Sequence, residues 1–254
     1  MDIESIESIE EIASDIPIKL TTPWYFRLPY FTTSMCIIYI TLFCNPNFRY
    51  PQPKYMSLAF DDSTAQLARE AYRWYTYSLI HFSVEHVTVN VITFFIYGTL
   101  VEMNALFLRT CAISFISIVG GALAVGFEFR LKMRGGQTTI LSGCSGGIFG
   151  LMASQVGNLV INWKAMNFFA RLVYLSLVLG AIASEIAMDV AFYNPQVSYA
   201  AHFGGFLSGA FVGLALMKHV KPIPWEWRMR FASATVLSVI TVAGIINMCT
   251  LPLP

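Results

Sequence analysis

From about residue 80 onward the chain is a succession of apolar runs, at roughly 80–100, 106–127, 139–161, 168–188, 197–217 and 231–250, joined by short polar connections. Each run is close to the ~20 residues that a helix needs to cross the hydrocarbon core of a bilayer. An earlier run, Phe31 to Cys44, is short for a span unless it begins near Trp24. The stretch from Asn45 to about Arg73 is too polar and too rich in proline to cross. The pattern predicts seven helical spans in one membrane domain, an all-α polytopic helical bundle, because only a helix satisfies its own backbone in lipid without closing a barrel.

Composition agrees. The 254 residues are 56% apolar, 15% aromatic and only 12% charged, with a mean hydropathy of +0.60, too few charges to clothe a soluble domain of this size. A net charge of +1, from 16 basic and 15 acidic residues, gives no reason to expect a nucleic-acid partner. Five cysteines without CxxC spacing suggest neither a disulfide framework nor a zinc site, and no metal or cofactor is expected. Residues 1 to 16 carry Asp2, Glu4, Glu7, Glu10, Glu11 and Asp15 without a base, unlike a signal peptide or a basic presequence. They read as a solvated acidic tail. With the N-terminus cytosolic, the cytosolic loops would hold nine Lys and Arg against seven on the other side, and the flanks of the last span agree with that orientation.

Three polar clusters open the second, fourth and sixth spans, which all run in one direction, so they meet one membrane face. They are His81, His86 and Asn90; Ser145 within Gly143-Cys144-Ser145-Gly146-Gly147; and His202 followed by Gly205 and Gly209. Ser145 and His202 lie five or six residues into their runs, roughly 8–10 Å below that face if the runs are helical throughout. On a helical wheel His86 and Asn90, four apart, share a face, whereas His81 and His86 would point about 140° apart. HExxH is absent, which argues against a metalloprotease. Gly143-x-Ser145-x-Gly147 also matches the nucleophile elbow of α/β hydrolases, but no soluble parallel sheet accompanies it. Glycines at 205, 209 and 213 form a stripe below His202 that would let the fourth span, with Gly146, Gly150 and Gly157, approach closely. That packing would bring the imidazole to the serine hydroxyl, as a general base requires. Small residues in membrane helices more often serve packing alone; the two further polar clusters favour chemistry. Glu185 and Asp189, near the end of the fifth span, are conceivable third members or simple loop anchors.

On these motifs, His81-x4-His86-x3-Asn90, Gly143-x-Ser145-Gly146 and His202-x2-Gly205-x3-Gly209, the chain resembles the rhomboid family of intramembrane serine proteases across about residues 24 to 217. The resemblance implies a six-helix core with a Ser145–His202 dyad. It also implies an oxyanion site from the Ser145 N–H with His86 and Asn90. It assigns structural roles to His81, to Arg73 in the first loop and to Glu102, with Gly143, Gly146, Gly205 and Gly209 near the site. Tyr72-Arg73 stands where the family usually has Trp-Arg, and Phe149 where it often has tyrosine. The implied organisation is an acidic cytosolic tail (1–23), a catalytic core (24–217) and a linker with a seventh helix (218–254). The last resembles the extra helix of secretase-type members and points to the secretory pathway, Golgi or plasma membrane, rather than the mitochondrion. The implied partners are the lipid bilayer and single-pass transmembrane substrates. A binding-class alternative is an inactive rhomboid-like protein that recognises transmembrane helices. A channel or transporter is disfavoured by the lack of mid-span charge.

Overall fold

The computed structural model describes residues 28–61, 70–132, 140–191, 198–219 and 224–250. The acidic tail and the start of the first predicted span lie outside them. The described chain forms α1 (Tyr30–Cys44), a short α2 (Pro53–Leu58), β1 (Phe60–Asp61), α3 (Arg73–Thr76), α4 (Val84–Ala105), α5 (Phe107–Lys132), β2 (Ile140–Leu141), α6 (Ser145–Asn162), α7 (Phe168–Ala191), α8 (Tyr199–Leu216) and α9 (Glu226–Cys249). The seven longer helices, α1 and α4 to α9, correspond to the seven apolar runs, a polytopic helical bundle with a six-helix core and one C-terminal helix.

By length and composition, α4, α5, α8 and α9 could each cross a membrane, while α1 and the first part of α7 are shorter apolar helices. α6 is different because it is enclosed. It buries Ser154, Gln155, Asn158 and Asn162, and the Asn162 amide donates to Asn158 Oδ1 (2.8 Å) and to the Lys218 carbonyl beyond α8 (2.8 Å). A helix surrounded by protein need not be uniformly apolar, provided that its polar groups find partners.

Helix starts follow capping chemistry. Ser83 accepts from the His86 N–H at the head of α4, and Ser198 accepts from the Ala201 N–H at the head of α8. α1 has Pro29 at its cap position and no side-chain cap of its own. That role is taken from a distance by Glu102, 1% exposed, whose carboxylate accepts from the Phe31 N–H (2.9 Å), the Thr32 N–H (3.0 Å) and the Thr32 hydroxyl (2.8 Å). Glu102 lies inside the last turns of α4, not after the span as the sequence pattern suggested.

The first loop has structure of its own. Tyr55, Ala59 and Ile80 form a small core with Phe48, Met56, Leu58, Phe82 and Ile140. Arg73 donates to the Met56 and Ala59 carbonyls and pairs with Glu70, so it ties the loop together. β1 then pairs antiparallel with β2, Phe60 opposite Leu141 and Asp61 opposite Ile140. The loop is thereby joined to the segment that leads into Ser145.

α9 docks through a polar cluster at the other end. Glu226 accepts from Arg230 Nε (2.7 Å) and meets His219 Nδ1, while the Arg230 guanidinium donates to the Ala215 and Met217 carbonyls at the C-terminal end of α8. A cation on the last carbonyls of a helix is the favourable end of its dipole.

Candidate active site

Three helices and one turn make the site. Gly143 has φ +103°, a conformation that favours glycine, and Cys144 follows without a side-chain cap. The first N–H to bond back within α6 is that of Ile148, to the Cys144 carbonyl (3.1 Å), so the N–H groups of Ser145, Gly146 and Gly147 lie ahead of the helical ladder. Ser145 is therefore the first residue of α6. The segment before it, 140–144, is a strand and a turn, so the depth obtained from a helical rise does not apply to Ser145.

α6 and α8 approach at their glycines. A β-carbon on Gly205 would lie 2.1 Å from the Gly146 carbonyl oxygen, one on Gly209 would lie 2.2 Å from that of Gly150, and one on Gly213 would lie 2.6 Å from the Ser154 backbone. No larger residue fits at that separation. This contact carries the expected consequence: His202 Nε2 stands 2.8 Å from Ser145 Oγ. Phe149, one turn below Ser145, stacks on the imidazole with ring centroids 4.5 Å apart and an interplanar angle of 24°, so phenylalanine supplies the ring contact at this position. Tyr199 meets the same imidazole edge-on at 6.5 Å.

His86 and Asn90 reach the same place from α4. A β-carbon on Gly143 would lie 2.7 Å from the His86 ring and 3.1 Å from Asn90 Nδ2, so both side chains press against the backbone two residues before Ser145. Asn90 is 6% exposed, and its Nδ2 has no hydrogen-bond partner among the described residues. A buried amide donor left unpaired costs free energy unless an acceptor arrives.

His81 departs from the helical-wheel expectation. α4 begins only at Val84, so His81 belongs to the extended segment before it and its direction is not set by helical periodicity. Its ring packs 5.1 Å from that of His86 instead of pointing away, and 5.7 Å from that of Tyr39. His81 is 1% exposed, and its Nε2 lies 3.8 Å from Cys144 Sγ. The side chains of Glu185 and Asp189, in α7, lie outside what is described.

Sequence reasoning missed Tyr77, whose carbonyl accepts the Gly143 N–H (3.0 Å), and the β1–β2 pairing. Neither leaves a pattern. Tyr77 lies in a single 3₁₀ turn (Tyr77–Leu79), and each strand is two residues long.

A polytopic bundle with a serine and a histidine on glycine-packed helices defines a class of membrane protein, and the comparison with known families gives its identity. The Rhomboid domain model matches residues 68–219, more than half of the chain, and the chain belongs to the rhomboid family. It is similar to Rhomboid-related protein 3 of Homo sapiens, 24% identical over 227 residues, which cover 80% of this chain and 54% of that protein. It is also similar to RHOMBOID-like protein 5 of Arabidopsis thaliana, 32% identical over 155 residues (60% of this chain, 47% of that protein). Rhomboid-related protein 1 of Caenorhabditis elegans is 26% identical over 158 residues (61% and 42%). The chain spans about half the length of the curated relatives it matches.

Proposed function

We propose that this chain is an intramembrane serine endopeptidase that hydrolyses a peptide bond in or near the transmembrane segment of single-pass membrane proteins. The observation that carries the reading is the 2.8 Å approach of His202 Nε2 to Ser145 Oγ across a helix pair that only glycines could bring so close. With the imidazole neutral and its proton on Nδ1, the Ser145 hydroxyl donates to Nε2, which makes the oxygen a usable nucleophile. Ser145 Oγ attacks the scissile carbonyl carbon as Nε2 takes the hydroxyl proton. The carbonyl oxygen becomes an oxyanion, which receives hydrogen bonds from the Ser145 N–H, Asn90 Nδ2 and His86. Donors already aimed at the place where charge develops stabilise the transition state more than the ground state. Collapse of the intermediate breaks the C–N bond, and the imidazolium passes its proton to the departing amine. A water molecule then repeats the sequence on the ester, releasing a carboxylate and restoring Ser145.

In this reading the core covers residues 24–217, residues 218–254 are a cytosolic linker followed by the seventh helix, the acidic segment 1–23 is cytosolic, and the dyad opens toward the non-cytosolic face of a secretory-pathway membrane. The basic residues Arg109, Lys164, Arg171, Lys218 and Arg228 at the other end of the bundle support that orientation. The test is co-expression with a panel of tagged single-pass proteins, comparing wild type with Ser145→Ala and His202→Ala. Each variant should insert normally and yield no cleavage product. Undiminished cleavage by Ser145→Ala overturns the serine mechanism. An intact panel with wild type, together with pull-down of panel members, favours the inactive helix-binding alternative.

A further inference from the structure

Tyr77 is 1% exposed and touches the site through both its backbone and its side chain. Its backbone carbonyl accepts the Gly143 N–H (3.0 Å), fixing the turn whose positive φ delivers the chain to Ser145. Its hydroxyl donates to the Ile118 carbonyl in mid-α5 (2.8 Å), where the backbone oxygen has a second lone pair free for a side-chain donor. That hydroxyl also lies 3.0 Å from where a β-carbon on Gly121 would stand and 3.1 Å from where one on Gly146 would stand. The same two positions face the Ala201 carbonyl, at 2.8 Å and 3.4 Å. Gly146 follows Ser145, and Ala201 precedes His202. The Tyr77 ring packs against Phe60 (centroids 6.4 Å apart), which is held opposite Leu141 in the strand pair.

We infer that Tyr77 is a positioning residue for the dyad: anchored on α5 through its hydroxyl, it sets Ser145 against His202 and holds Gly143 against His86 and Asn90. The inference rests on the reading of Ser145 as the nucleophile. Tyr77 touches neither reacting atom, so its effect travels through the Gly143 turn and the Gly146–Ala201 junction. Geometry of this kind is where small displacements are costly, because the reacting atoms must meet within a few tenths of an ångström of their productive separation.

Tyr77→Phe is the informative change, because it keeps the ring and the backbone carbonyl and removes only the anchor. In purified full-length protein, kcat against a cleaved panel substrate should fall on the order of tenfold, with KM changed by less than about twofold. The melting temperature should stay within a few degrees, since one neutral hydrogen bond is lost. Gly146→Ala places a methyl group against the Tyr77 hydroxyl and should itself slow turnover. In Tyr77→Phe/Gly146→Ala that oxygen is gone, so the double variant should lose much less than the product of the two single losses.

Hydrogen exchange supplies a readout that does not depend on activity. The peptide covering residues 140–147 should exchange faster in Tyr77→Phe while the rest of the bundle is unchanged. Two outcomes overturn the inference: unchanged kcat and local exchange in Tyr77→Phe, or losses that multiply and track a fall in melting temperature. If wild type and Ser145→Ala are equally active or equally inactive, the reading of the nucleophile fails instead, and the exchange result alone decides whether Tyr77 holds the turn.

Discussion

Ser145 is reactive in this reading only through what surrounds it, so its predictions follow from the surroundings. An imidazole that accepts the serine proton must be neutral, and protonation converts its free nitrogen into a donor. Labelling of Ser145 by a fluorophosphonate should therefore require His202. Undiminished labelling in His202→Ala counts against the base. His86 and Asn90 press on Gly143, and in the proposed mechanism they donate to charge that exists only in the transition state. Asn90→Ala and His86→Ala should therefore each lower kcat, on the order of 10²-fold, with a smaller change in KM. Normal turnover in both would remove the oxyanion assignment and leave the dyad standing. His81→Ala should instead lower the melting temperature, since His81 is buried against Tyr39 and Cys144. At this scale the spacing of the histidines, asparagine and serine was legible because each sits in an apolar run where a polar residue is conspicuous. The direction of His81 was not, because helical geometry was extended three residues beyond the true start of α4.

Between elements, the interior polar contacts do what the lipid cannot. α1 lacks a local N-cap, and Glu102 of α4 supplies three hydrogen bonds to its first turn. Glu102→Ala would leave those donors unpaired in a buried place and remove an anion from a helix N-terminus, at a cost on the order of 3 kcal/mol. It should appear as a clear fall in melting temperature in detergent, with Glu102→Gln intermediate. An unchanged melting temperature in Glu102→Ala would show that α1 is held by apolar packing alone. The helices themselves were legible because a run of about twenty apolar residues has one stable solution in a bilayer, and the α6–α8 pairing followed from glycines at matching intervals. What escaped the sequence were features without periodicity: the pairing of Phe60 with Leu141, and the reach of Arg230 to the carbonyls closing α8. Each joins short segments far apart in sequence, and no local propensity announces it.

The whole bundle has a polarity that the native cysteines can report. The Glu102 contacts place the start of α1 beside the end of α4, so Cys44, closing α1, lies toward the end of the bundle where α4 begins, with His86 in its first turn. Met248 packs at Gly126, late in α5, so Cys249 lies at that same end. Both thiols are exposed, whereas Cys36 and Cys144 are buried and Cys111 is partly covered. In the proposed orientation, seven crossings with a cytosolic N-terminus would put Cys44, Cys249 and the dyad together at the non-cytosolic face. In sealed vesicles, a membrane-impermeant maleimide should label both cysteines from that face and neither from the cytosolic one. Cys44→Ser and Cys249→Ser should each remove one part of the signal, and the double variant nearly all of it. Labelling of both only from the cytosolic face would invert the orientation and, with it, the side on which substrates are cut. Labelling of the two from opposite faces would break the seven-crossing arrangement, because α1 and α9 could then no longer run in the same direction.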